Sequence, residues 1–87
     1  MFEMFKQNKL DELIKVLLNI KNKNEMEDFL FGILTPKELE EIPMRLQIVK
    51  MLKKGIAQHN ISEKLKVGIA TVTRGSKEIQ KGRFANI

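Results

Sequence analysis

The chain has 87 residues, 43% of them apolar, which suits one domain and a thin core that a second copy would help to bury. With no cysteine and one histidine, His59, disulfides, thiolate metal sites and histidine-based catalysis fall away, and no nucleophile–base pair points to an enzyme. The net charge of +5 is uneven: residues 1–43 carry six lysines against nine acids, residues 44–87 ten lysines and arginines against two acids, so the second half is suited to a polyanion.

Along the chain, the opening residues lack the basic-then-apolar pattern of a secretory signal, and no apolar run approaches bilayer-spanning length. A cytoplasmic protein with no membrane partner is expected. Leu10, Leu13, Ile14, Leu17 and Leu18 repeat at helical spacing and predict an amphipathic helix that fades into a polar turn over residues 21–24. Asn24, with Glu27 three residues on, predicts the cap of a second helix over residues 25–33. Thr35 and Pro36 mark the next start, Thr35 as cap and Pro36 at the first helical position. Pro43 disfavours helical backbone at Ile42, so a short helix is expected to end there and another to begin, with Leu46, Ile48, Val49 and Leu52 inward and Gly55 as its stop.

Two more helices are expected, over residues 57–65 and 69–81, joined by Lys66-Val67-Gly68. No alternating strand pattern appears. The fold class is therefore all-α: a single domain of six short helices, with residues 8–55 for dimerisation and core, residues 56–81 as a helix-turn-helix, and residues 82–87 as a flexible tail. Ile61, Leu65, Val67 and Val72 fit the packing between the two crossed helices, with Ser62 small at the crossing. The second helix opens on Gly68, Ile69, Ala70 and Thr71, then Thr73 and Arg74. These side chains are short enough for close approach to DNA, with hydroxyls for phosphates or base edges and methyls for thymine. Lysines 50, 53, 54, 64, 66 and 77 can meet phosphates. Gly75, inside a helix and following Arg74, suggests a close neighbour or a small anionic ligand held by a guanidinium.

Leu34-Thr35-Pro36, Arg45 with Ile48-Val49, Gly55, and above all the run Gly68-Ile69-Ala70-Thr71-Val72-Thr73-Arg74-Gly75-Ser76 closely resemble the tryptophan repressor family over roughly residues 30–81. The resemblance implies an intertwined all-α homodimer that binds a palindromic operator in double-stranded DNA when L-tryptophan, its co-repressor, occupies a pocket behind the recognition helix. Matched by motif, it implies Gly68, Ile69, Ala70, Thr71 and Thr73 at the DNA, and Gln58, His59 and Lys77 complete the expected DNA-binding set. It also implies Arg45 and Arg74 on either side of the indole, Arg74 on the ligand carboxylate, Gly75 against the ligand, Glu78 at its amino group, and Leu34 and Thr35 offered from the opposite subunit.

The chain departs from that pattern in several places. It is expected to lack the family's last helix, and the first helix of the motif is one residue short after Gly55. His59 stands for a DNA-contacting arginine, Pro43-Met44 for a glycine-threonine pair, Glu78 for a serine and Lys66 for a turn glycine. Three functions compete on these grounds. They are a repressor gated by an amino acid such as L-tryptophan, a ligand-independent DNA- or RNA-binding module, and a protein-interaction dimer without nucleic acid.

Overall fold

A computed structural model describes the backbone of residues 2–87 and the side chains of residues 8–87. The described residues form five helices and no strand: α1 Phe2–Asn19, α2 Lys23–Ile33, α3 Pro36–Lys53, α4 Gln58–Leu65 and α5 Ile69–Gln80. The all-α class expected from the sequence is thus observed, with five helices where six were expected. None of the described helices is long and apolar enough to cross a membrane. The chain forms two compact units, one running to Pro36 and the other Lys37–Ile87.

In the first unit, the capping pattern falls two residues earlier than expected. Asn22, in extended backbone at φ −137° and ψ 164°, accepts a 2.8 Å hydrogen bond from the Glu25 amide and starts α2. Asn22 and Asn24 both stand three residues before a glutamate. Starting at Lys23 adds two residues, about half a turn, and brings Lys23 Nζ to 3.6 Å from Glu27, an exposed pair four residues apart. Among residues 8–36 no side chain is fully buried. Leu10, Ile14 and Leu18 of the α1 stripe are exposed, as are Phe31 and Ile33 of α2.

The second unit corrects the reading of Pro43. That residue lies inside α3, which runs unbroken from Pro36 to Lys53. An interior proline removes one backbone hydrogen bond and costs about 3 kcal/mol. Burial of Ile48, Val49 and Met51 in the turns that follow offsets that loss. Leu46, expected inward, is exposed, and Met51 takes the inward place. Helix α3 ends at Gly55, whose φ of +84° lets Ile56 N bond Met51 O at 3.1 Å and Gly55 N bond Leu52 O at 2.9 Å, closing the last carbonyls.

The core joins three helices: Ile48 and Met51 of α3, Ile61 of α4 and Val72 of α5, with Met44, Leu52, Ile56, Leu65 and Val67 packed around them. Helix α4 ends on Lys66, a non-glycine residue in left-handed backbone at φ 56° and ψ 46°. Val67 N bonds Ser62 O at 3.2 Å, and the Ser62 hydroxyl donates to Val67 O at 2.6 Å. Ser62 therefore closes the turn through its own hydroxyl as well as by being small. The closure holds Val67 against the core and overrides the cost of about 1–2 kcal/mol that left-handed backbone imposes on a residue with a Cβ.

Of residues 82–87, expected as a flexible tail, 82–86 form turns. Gly82 N bonds Ile79 O at 2.9 Å, Arg83 N bonds Glu78 O at 3.1 Å, and Lys53 Nζ donates to the carbonyl of Phe84.

Two stability measurements test this packing. Ile61→Ala should cost about 2–5 kcal/mol in denaturant unfolding, because the site is enclosed by three helices; a loss below about 1 kcal/mol would mean that the three helices do not share a core. Lys66→Gly should leave stability equal or higher, whereas Lys64→Gly in α4 should lower it by about 1 kcal/mol. Equal losses at both positions would contradict the left-handed turn.

Candidate nucleic-acid interface and ligand cleft

The first candidate surface is the start of α5. Gly68 is its N-cap, with φ −66° and ψ 146°, and makes no side-chain capping bond; Ala57, the N-cap of α4, makes none either. Both helices thus present backbone N–H groups at their N-termini without a side-chain acceptor, and such termini favour anions. Gly68, Ile69, Ala70 and Thr71 are all exposed, Ile69 by 51%.

Thr73 and Gln58 are half-buried, and the Thr73 hydroxyl donates to Gln58 Oε1 at 2.8 Å, tying the two helix faces together. His59 is exposed, with Nε2 at 3.2 Å from the Glu63 carboxylate on the same helix. Lys77 is exposed and, with Ala70, Thr73, Arg74, Glu78 and Lys81, borders a shallow depression on the flank of α5. Of the residues read from the sequence as DNA contacts, all eight lie on α4, α5 or the N-cap between them.

The second surface is a cleft of about 250 Å³, lined by Arg45, Ile48 and Val49 of α3, by Thr71, Arg74, Gly75 and Glu78 of α5, and by Phe84. Four of the residues read as ligand contacts, Arg45, Arg74, Gly75 and Glu78, are therefore brought together. Leu34 and Thr35 belong to the first unit, where Leu34 is the half-buried C-cap of α2. Gly75 also faces α3: a Cβ built there would stand 3.4 Å from Ile48 Cγ2 and from Leu52 Cδ1, at the near edge of ordinary van der Waals contact, so little space is left between α5 and α3.

Charge in the cleft is set by three groups. Among the described residues neither Arg45 nor Arg74 forms an ion pair. Glu78 lies 2.9 Å from Lys81 Nζ and 3.1 Å from Arg83 Nε. The hydrogen bond from Lys81 holds the Glu78 carboxyl below its ordinary value, outweighing desolvation, and the charges of Lys81, Arg83 and Arg74 act in the same direction. A depressed carboxyl contributes its stabilisation above its unfolded value and loses it as pH falls through the folded one. Glu78 is accordingly an anion through the neutral range.

Sequence reasoning missed four linings, of which Ile48 and Val49 were read only as inward-facing residues of α3. Thr71, read as a DNA contact, also borders the cleft, and Phe84 lies in a tail read as loose. The signal for Phe84 was slight, a lone aromatic among polar and small residues.

The family model for the Trp repressor protein matches residues 8–85. Relatives described as Trp operon repressor homologs include one from Vibrio cholerae, 38% identical over 81 residues, covering 88% of this chain and 79% of the relative. One from Mannheimia succiniciproducens is 39% identical over 70 residues, covering 79% of this chain and 69% of the relative. One from Vibrio campbellii is 36% identical over 70 residues, covering 79% and 70%. No solved structure matches. The resemblance drawn from the GIATVTRGS run is borne out, and the chain belongs to the Trp repressor family, a family of DNA-binding regulators and not of enzymes.

Proposed function

We propose that this protein is a transcriptional repressor that binds a palindromic operator as a homodimer through the helix-turn-helix of α4 and α5, gated by an amino acid of the L-tryptophan class. The observation that carries the reading is the bare tip of α5. Gly68, Ile69, Ala70 and Thr71 stand exposed at a helix N-terminus with no side-chain cap, in the half of the chain that holds ten of its sixteen basic residues. A tip of this kind can enter a major groove, where Thr71 meets a base edge and Ile69 or Ala70 a thymine methyl. Gln58 and His59 at the start of α4, with Lys77, serve the phosphates, which position the protein without reading sequence.

The dimer reading rests on burial. A first unit with no fully buried side chain among residues 8–36, and with Leu10, Ile14, Leu18, Phe31 and Ile33 exposed, needs apolar cover that a second copy supplies. Leu34 and Thr35 would then reach the cleft of the opposite subunit.

The ligand reading rests on the cleft. Its volume of about 250 Å³ lies below the roughly 300–1,000 Å³ of drug-sized sites and suits a single amino acid. Arg74 would take the carboxylate in a two-pronged grip, Arg45 would cover the ring, and Glu78 would receive the ammonium. By wedging between α3 and α5 the ligand would favour one angle of α5, raising DNA affinity by no more than its own preference for that state. A ligand-independent DNA-binding module is the second reading. It draws on Glu78, whose carboxylate Lys81 and Arg83 already engage.

Two experiments test these assignments. Binding to duplex DNA should fall by about a thousandfold between 50 and 200 mM salt if roughly six phosphates are contacted. Thr71→Ala should cost about tenfold on a site selected from random DNA and little on unselected DNA. Salt-insensitive binding would remove the phosphate contacts, and equal loss on both DNAs would remove the base-reading role of Thr71. For the ligand, the chain has no Trp and no Tyr, so indole emission in a mixture with L-tryptophan reports the ligand alone. A blue shift on adding protein is expected, and Arg74→Ala should abolish it. A shift that survives in the variant would refute the carboxylate assignment, and no shift in the wild type would leave the ligand-independent reading.

A further inference from the structure

One carboxylate stands on a flank of α5 that is otherwise basic. The shallow depression there has Arg74, Lys77 and Lys81 as its cations and Glu78 as its one acid. Ala70, Thr73, Lys77 and Lys81 repeat at helical spacing along it, so the depression runs from the exposed tip of α5 toward its C-terminal end. Arg74 and Glu78 line the cleft as well, and the two hollows therefore share one guanidinium and one carboxylate.

On a face turned to phosphates an acid is repelled unless a cation covers it. Lys81 Nζ covers Oε2 of Glu78 at 2.9 Å and Arg83 Nε covers Oε1 at 3.1 Å, so each oxygen is engaged. The Arg83 amide also bonds Glu78 O at 3.1 Å, which keeps that residue beside the carboxylate. Lys81 is the looser partner: a compact charge on a flexible stem, its side chain 63% exposed, bordering the depression and not the cleft. DNA offers it another anion. A major groove is about 8.5 Å deep, so on a helix entering by its tip Lys77, about 10 Å along the axis from Ala70, lies at the level of the phosphates. Lys81 lies about one turn beyond, and its side chain tilts toward the helix N-terminus, hence back toward the DNA.

We propose that Lys81 is a phosphate-binding residue that Glu78 withholds from DNA until the ammonium of an amino-acid ligand takes its place on the carboxylate. This rests on the DNA and ligand readings above. The exchange leaves Glu78 covered by a cation throughout and moves one positive charge from an internal pair to the DNA face. It adds to the wedging of α5 a purely electrostatic link between cleft and DNA. The link is reciprocal: Lys81 and the ligand compete for one carboxylate, so removing the lysine strengthens ligand binding.

The test compares the wild type, Lys81→Gln and Glu78→Gln, each checked for fold by circular dichroism. L-tryptophan binding is read from indole emission, and binding to a site selected from random DNA is measured with and without L-tryptophan at about 50 and 200 mM salt. Each Lys81 that gains a phosphate steepens the slope of log affinity against log salt by about 0.9. With two subunits, the tightening that tryptophan gives the wild type should be about tenfold smaller at the higher salt. Lys81→Gln should bind tryptophan at least as tightly as the wild type, and its tightening should be equal at both salt concentrations. Glu78→Gln, which frees the lysine outright, should show the steeper salt dependence with no ligand present. A wild-type tightening independent of salt overturns the exchange and leaves the DNA and ligand readings standing. Weaker tryptophan binding by Lys81→Gln also overturns it, since the lysine would then belong to the ligand site. A wild type that binds no tryptophan, or no DNA, overturns the reading beneath the exchange and the exchange with it.

Discussion

Everything functional in this chain hangs on the contact among Ile48, Ile61 and Val72, each at most 1% exposed. These side chains come from α3, α4 and α5 and meet in one apolar cluster, so the angle of α5 is set by what α3 presents to it. The exposed tip at Gly68 and the cleft at Arg74 are opposite results of that single packing. One end of α5 is lifted clear of the core, while its inner side leans on α3 across Gly75. With so few fully buried residues the core is small, and each of its members carries a large share of the packing energy.

Local chemistry explains which features were legible in the sequence. Gly55 and the Lys66 turn could be read because both are backbone requirements, and the pattern around Ile61, Leu65 and Val72 carried its own periodicity. Pro43 misled because the restriction on its preceding residue is a local preference, and the burial that follows along α3 outweighs it. Asn22 and Asn24 offered the same cap with the same spacing to glutamate, and only the two extra helical residues separate them. Leu46 was placed inward from its spacing to Val49, yet the single chain leaves it exposed beside Ile42. Phe84 escaped because no period or cap predicts a wall that is formed by a turn folding back.

The charges fall into two kinds that the composition could not separate. Lys81 and Arg83 are engaged with Glu78, and Lys23 with Glu27, so they belong to the structure's own internal pairing. Arg45 and Arg74 enter no ion pair among the described residues while bordering a cleft open to solvent. Both guanidiniums are exposed and hydrated, and an anion entering the cleft would meet two cations that no carboxylate already engages.

The hydroxyl of Thr73, anchored on Gln58, bears on how the α4–α5 face meets any partner. Both side chains would otherwise sample several rotamers on a free surface, and freezing each at an interface costs about 0.5–1.5 kcal/mol. Here folding has already frozen them. The face is preorganised: docking there immobilises less of the protein, and a substitution that frees either side chain would weaken association even if it removed no contact with the partner.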